Sequence, residues 1–141
     1  MRKIARARFI LVLVAAAAAC FADGGTEVSG RIRDASGRPL QDVHVEIVAP
    51  YGATAAANGQ TIATTMSRSD GCFDAAGMHR SGRLRVTLRA SKDGFKPYIA
   101  DFVSGFYTND ITLASADSAA QSSGRFVEHD FQRDGRAPCQ R

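Results

Sequence analysis

Between Val28 and Phe95 the apolar residues fall at every second position and are interrupted by short Gly, Pro and Asp turns. A period of two, rather than 3.6, predicts half-buried β-strands. Glu27–Asp34 turns Val28, Gly30 and Ile32 inward and Ser29, Arg31 and Arg33 outward. Ser36-Gly37-Arg38-Pro39 closes the first turn, glycine supplying a positive φ and proline fixing its own. Asp42–Val48 buries Val43, Val45 and Ile47 and leaves His44 and Glu46 on the other face. Ala49–Gln60 is a long connection of small residues, followed by a third strand over Thr61–Ser67. Asp70-Gly71 is a tight-turn signal leading into Cys72–Ala75. Arg83–Ser91 has the cleanest alternation, with Leu84, Val86, Leu88 and Ala90 inward and Arg83, Arg85, Thr87 and Arg89 outward. Asp93-Gly94 turns the chain into Phe95–Val103, where Pro97 has no N–H to give a ladder and predicts an edge position. Asn109–Ala114 supplies a seventh strand through Ile111 and Leu113.

The pattern predicts an all-β fold, seven strands in an antiparallel sandwich or barrel over residues 26–114. Residues 115–124 are Ala, Ser, Asp, Gln and Gly without apolar periodicity, so 115–141 reads as a flexible linker and C-terminal tail. Within it, Arg125–Gln132 adds a short final strand through Phe126 and Phe131. There is no internal repeat.

The first residues carry different chemistry. Arg2, Lys3, Arg6 and Arg8 precede an unbroken apolar run, Phe9–Ala19, that ends in alanines. A basic stretch, a short apolar stretch and small residues describe a secretory signal peptide. At ~1.5 Å per residue the run covers about half of a bilayer's hydrocarbon core, which argues against a spanning helix. Cys20-Phe21-Ala22 offers small residues for cleavage before Asp23, giving a signal peptide over 1–22. Ala17-Ala18-Ala19-Cys20 also resembles a bacterial lipobox, although Ala17 stands where a larger aliphatic is usual. In that reading the leader is 1–19 and Cys20 is lipidated, the one route to a membrane. Either way the chain is expected to be exported: periplasmic, secreted, or lipid-anchored in the envelope.

Export changes the charge argument. The chain has 18 Lys+Arg and 14 Asp+Glu, a net charge of +4. All of that excess sits in the four leading basic residues, and the remainder is neutral. Net charge therefore gives no reason to expect nucleic-acid binding. Cys72 and Cys139 remain after either processing route, and two cysteines in an oxidising compartment predict one disulfide. Closing so long a loop would stabilise the fold by roughly 4 kcal/mol in the chain-entropy model. Neither cysteine has metal-site or redox-motif spacing.

The series Gly30-x-Ile32-x-Asp34-x-x-Gly37-x-Pro39-Leu40, then Val43 to Ile47, then Ser69-Asp70-x-x-Phe73, then Leu84 to Gly94-Phe95, resembles the carboxypeptidase regulatory-like domain family. The resemblance covers roughly Glu27 to Leu113. It implies a seven-stranded antiparallel sandwich, Ig-like/transthyretin-like, of prealbumin type. It also implies an accessory module with no catalytic residues, no metal and no cofactor. The connection over Ala49–Gln60 and the cysteine-bearing tail depart from the family pattern. Intradiol ring-cleaving dioxygenases share a Gly-x-x-x-Asp-x-x-Gly-x-Pro stretch but hold iron with two tyrosines and two histidines, including a His-x-His pair. This chain has Tyr51, Tyr98, Tyr107, His44, His79 and His129, and no His-x-His. Hydroxyisourate hydrolases end in Tyr-Arg-Gly-Ser, whereas this chain ends in Ala-Pro-Cys-Gln-Arg.

Candidate binding residues are few. Arg83, Arg85 and Arg89 make a stripe which, with Arg31 and Arg33, could meet anionic envelope groups or simply solvate a sheet's outer face. His44 and Glu46 share a face and would need a third ligand to hold a metal. His129-Asp130 lacks a positioned nucleophile. Phe95, Tyr98, Phe102, Phe106 and Tyr107 concentrate the aromatics in one stretch. Phe95 and Phe102 are expected in the core, and Phe106 and Tyr107, beside Gly105, in a surface loop. With Tyr51, those two rings are the expected contacts for an envelope protein or glycan. Small-ligand or sugar carriage is the alternative, and a metal-dependent enzyme a third.

Overall fold

The computed structural model describes residues 24–49, 60–79 and 82–129, together with Cys139. Eight strands run in chain order: β1 (Gly24–Asp34), β2 (His44–Val48), β3 (Thr61–Met66), β4 (Cys72–His79), β5 (Arg85–Ser91), β6 (Tyr98–Val103), β7 (Phe106–Leu113) and β8 (Ser123–Glu128). They form two four-stranded sheets, ordered β4-β1-β7-β8 and β3-β2-β5-β6. The inward side chains of both sheets, among them Val28, Ile32, Val45, Ile47, Phe73, Val86, Leu88, Ile111 and Leu113, form one buried core. Alternation along each strand produces this result, because a period of two places every second side chain between the layers.

The sandwich is all-β, as the pattern predicts, but its strand count is eight rather than seven. The added strand pairs antiparallel with β7, from Tyr107 opposite Glu128 to Thr112 opposite Ser123. It is shorter at its C-terminal side than the Arg125–Gln132 expectation and starts two residues earlier. The sheets are also not wholly antiparallel. β1 and β7 run parallel, with Glu27 opposite Phe106 and Ile32 opposite Ile111. The reason is topological: the chain crosses into the other sheet for β5 and β6 and returns to β1 travelling the same way.

Backbone pairing, not side-chain pattern, sets the other differences. β1 starts at Gly24 and β4 continues to His79 because the two ladder along their length, Gly24 opposite His79 and Arg31 opposite Cys72. No apolar alternation marks Ala76-Gly77-Met78, so the sequence hides that half of the strand. Gly30, expected among inward packing residues, instead lets strands approach. A Cβ there would stand 2.0 Å from the Asn109 backbone oxygen. β6 starts after Pro97 and is an edge strand, as its proline predicts.

The stretch after Ala114 is held to the sandwich rather than loose. The Ala116 N–H donates to Gly94 O at 2.9 Å, and Ser122 Oγ donates to Lys96 O at 2.6 Å. The Lys96 ammonium donates to the carbonyls of Ser118 and Ala120. The disulfide joins Cys72, the first residue of β4, to Cys139, with Cα atoms 5.7 Å apart. Arg68 Nη2 donates to the Cys139 carbonyl at 2.9 Å, so the tail's cysteine is fixed on the β4 side of the molecule.

A candidate interaction surface at one end of the sandwich

Strand directions sort the molecule into two ends. At one end β1 and β7 begin, β4, β6 and β8 finish, and the β2–β3 connection leaves. Arg83, Ser104, Gly105, Phe106, Glu128 and His129 lie there. The opposite end gathers the turns after β1, β3, β5 and β7. The first end collects most of the candidate contact residues.

Phe106 and Tyr107 are not in a loop: they open β7, because the parallel pairing with β1 starts at Phe106. Tyr107 turns inward. Its ring meets Phe102 edge-on at 5.3 Å and Phe126 edge-on at 5.7 Å, while Phe102 and Phe126 stack at 4.8 Å. These three rings close the open seam between the edge strands β6 and β8, and each such contact adds to the area it buries. Tyr107 therefore serves packing. Phe106, one residue earlier, stands on the outer side of its sheet and is half-buried. Phe102 is buried and Phe95 is packed against the core, as expected of them.

The arginine stripe is divided. Arg83 precedes β5, and its Nη2 donates to Glu128 Oε1 at 2.8 Å, bridging the two sheets at the seam. Arg85 is exposed on the outer face opposite Val103. Arg89 lies further along β5, 3.6 Å from the Glu46 carboxylate. Arg31 and Arg33 belong to the other sheet, so the five guanidinium groups do not share a surface. Glu46 is thus taken up by Arg89, and His44 Nε2 shares a hydrogen bond with Thr64 Oγ1 at 3.0 Å. His129 Nε2 hydrogen-bonds Thr108 Oγ1 across the outer face. Among the described residues no set of three His, Cys, Asp or Glu side chains could hold a metal. Tyr51, Asp130 and Cys20 lie outside the described residues.

Two groups at this end titrate abnormally. Burial pushes the Tyr107 phenol up, as does the Glu128 carboxylate, while Arg83 pulls the other way. Burial also raises the Glu27 carboxyl, aided by repulsion from Asp74 on the neighbouring strand. Sequence reasoning placed Phe126 on a short final strand but not in this ring cluster, and it did not find the acid pair. Strand pairing diagonal to Glu27 was the missing signal for Asp74, and Phe126 was marked only by its own short strand.

The sequence profile of the carboxypeptidase regulatory-like domain matches residues 27–122, more than half of the chain. The chain belongs to that family. A search of curated protein sequences returned no match. In this carboxypeptidase regulatory-like domain the profile ends before β8 and Cys139, so the seam-closing strand and the disulfide tail lie beyond the matched region.

Solved structures share its fold. Klebsiella pneumoniae 5-hydroxyisourate hydrolase is 18% identical, covers 73% of this chain and 99% of its own, and superposes with a TM-score of 0.53. Transthyretin from Sparus aurata is 17% identical, with 73% and 97% covered and a TM-score of 0.51. Rhodococcus opacus 3-chlorocatechol 1,2-dioxygenase is 10% identical with a TM-score of 0.47; 66% of this chain is covered, and it spans only 60% of that enzyme. At such identities the likeness to the first two speaks for the fold, which is transthyretin-like, and not for chemistry.

Proposed function

We propose that this carboxypeptidase regulatory-like domain is an exported, non-catalytic interaction or structural module of the bacterial cell envelope. The observation that carries the reading is the disulfide between Cys72 and Cys139. A cross-link of that kind persists in an oxidising compartment, and the basic and apolar leader over residues 1–22 is the means of reaching one. Its destination is the periplasm or the exterior, or the envelope surface if Cys20 is lipidated. The partner is an envelope protein or glycan engaged at the end of the sandwich where Arg83 and Phe106 stand. Binding residues at the ends of a rigid sandwich can vary without disturbing its core. A small-ligand or sugar carrier is the alternative.

Two measurements test this. The intact mass of protein recovered from an exporting cell should lack the leader and be two daltons (about one H₂) lighter than its reduced form. A full-length mass, or free thiols, would remove the export reading. Pull-down from envelope extract should recover a partner that the Phe106→Ala, Arg83→Ala double variant loses. Undiminished recovery would remove the assignment of this end. A glycan array separates carbohydrate from protein partners.

A further inference from the structure

We infer that the Cys72–Cys139 bridge is a directional thiol-exchange site: an incoming thiolate bonds to Cys139, and Cys72, held by Arg31, is the sulfur that leaves and later reseals the bond. The inference goes beyond the envelope module proposed above and shares with it only the bridge itself.

Access separates the two sulfurs. Cys72 opens β4 and is 1% exposed. Its N–H donates to Asp70 Oδ1 at 2.9 Å, and it stands opposite Arg31 on β1. Cys139 is only partly buried. A nucleophile from solvent therefore meets Cys139 first. The cation beside it is Arg68, whose side chain is 52% exposed and whose Nη2 donates to the Cys139 carbonyl at 2.9 Å. An anionic thiolate is the kind of nucleophile such a cation draws in.

Polar surroundings separate the sulfurs in the same sense. Arg31 Nη2 donates to Cys72 Sγ at 3.7 Å, and Arg31 Nε is buried with no hydrogen-bond partner. Cys139 Sγ lies 3.1 Å from the Gly30 carbonyl oxygen. A guanidinium stabilises charge arriving on Cys72, whereas a carbonyl oxygen opposes charge on Cys139. The other charges nearby are acids: Asp70, 4.0 Å from Arg68 Nε, Asp74 two residues along β4, and Asp110 on β7 at the far side of Arg31. Among the described residues Arg31 forms no ion pair with any of them, so its guanidinium stays available to the sulfur.

The chemistry is a displacement at sulfur. A thiolate attacks Cys139 Sγ, a new S–S bond forms there, and the electron pair of the old bond leaves on Cys72. A second thiolate attacks the first one's sulfur, forms a disulfide with it and releases Cys139. The protons of the two thiols pass to the two cysteines, and the thiols leave oxidised. The thiol donor is a small monothiol or the dithiol of an oxidoreductase. In reverse the same geometry makes the bridge, with the Cys72 thiolate attacking a mixed disulfide on Cys139.

The test uses chain recovered from the exporting cell, with its bridge intact, and glutathione as the thiol. After brief exposure the reaction is quenched with acid, and peptide mass spectrometry reads which cysteine carries glutathione. In the folded protein Cys139 should carry about ten times more adduct than Cys72, and in urea the two should agree within about twofold, because the bias comes from folded access and Arg31. Dithiothreitol should reduce the folded Arg31→Gln variant about threefold more slowly than the parent, since a poorer leaving thiol departs more slowly. Arg31→Lys keeps the charge and should keep most of the parent rate. The adduct map needs no substitution, so it decides even if Arg31→Gln does not fold. Adduct mainly on Cys72 or evenly divided in the folded protein, or a folded Arg31→Gln reduced as fast as the parent, overturns the inference and leaves the exported module standing. Free thiols at isolation would instead remove the export reading, and the adduct map on protein oxidised in vitro would still decide this one.

Discussion

The Asp34 carboxylate organises the first turn. Its Oδ1 accepts from the Ser36 N–H at 2.9 Å, the Ser36 hydroxyl at 2.6 Å and the Arg38 N–H at 3.0 Å, and Oδ2 accepts from Arg38 Nε at 3.0 Å. These donors favour the ionised form. The Ser36 hydroxyl contributes most, followed among them by Arg38, and together they lower the acid from 3.8 to about 2. The unfolded chain lacks the donors, so the stability this residue adds is fully present above the unfolded value of 3.8 and is lost as pH falls through about 2. Following the Asp34 side-chain carbon by NMR should give a midpoint near 2, and an ordinary midpoint would show that the turn does not form. Glu27 works in the opposite sense. Its raised folded value makes its ionisation unfavourable to folding, so Glu27→Gln should raise Tm slightly at neutral pH and have less effect in acid. Glycines at two positions separate backbone conformation from crowding. Gly37 has φ 86° and a Cβ added there would meet nothing within 4 Å, so Gly37→Ala should cost about 1–2 kcal/mol, the penalty of a left-handed residue. Gly30 has no room, since its Cβ would strike the Asn109 backbone at 2.0 Å. Gly30→Ala should cost more, on the order of 3 kcal/mol or beyond, in a urea melt.

At the scale of elements, β8 and the disulfide determine how the open seam and the chain end are held. Phe126 is the one half-buried side chain of β8, and it stacks on Phe102 beside Tyr107. Phe126→Ala should cost about 2 kcal/mol, at or below the low end for a buried aromatic because the site is partly open to water. Hydrogen exchange should then accelerate along β8 and β7 before β2 and β5; uniform acceleration would mean that the seam is not an independent weak point. Much of this architecture was legible in the sequence. Strict alternation in Arg83–Ser91 and Asp42–Val48 identified strands that bury a full row of side chains. Pro97 identified an edge because its missing N–H has a fixed consequence. The extra half of β4 and the start of β7 were hidden because they exist through backbone pairing with β1, which leaves no apolar period. For the same reason Phe106 and Tyr107 read as a loop after Gly105. The division of the arginines between the two sheets required the strand order itself, which a periodicity does not contain.

At the scale of the molecule, compartment and stability are linked through one cross-link. Domains of this size are stable by only about 5–15 kcal/mol. A bridge between residues 67 positions apart accounts for roughly 4 kcal/mol of that through the unfolded ensemble. The sandwich core does not rest on it alone: the buried valines, leucines and isoleucines come from β1, β2, β5 and β7 and from Val43 just before β2, although Phe73, next to the bridged Cys72 on β4, belongs to the same core. The fold should therefore survive reduction but with a much smaller margin. Cys139→Ser is the cleaner variant, because Cys72 is buried and a serine there would also bury a hydroxyl. Expected outcomes are a native-like β circular dichroism spectrum for Cys139→Ser, and a stability from urea unfolding lower by about 4 kcal/mol. Adding a dithiol to the parent protein should produce the same loss and to the variant none. Protein held in a reducing cytosol by removing its leader would then unfold more often and be degraded faster than the exported form, a difference that pulse-chase of the two would read directly. Equal stability of oxidised and reduced protein would separate the disulfide from the fold's viability and leave the leader alone to argue for export.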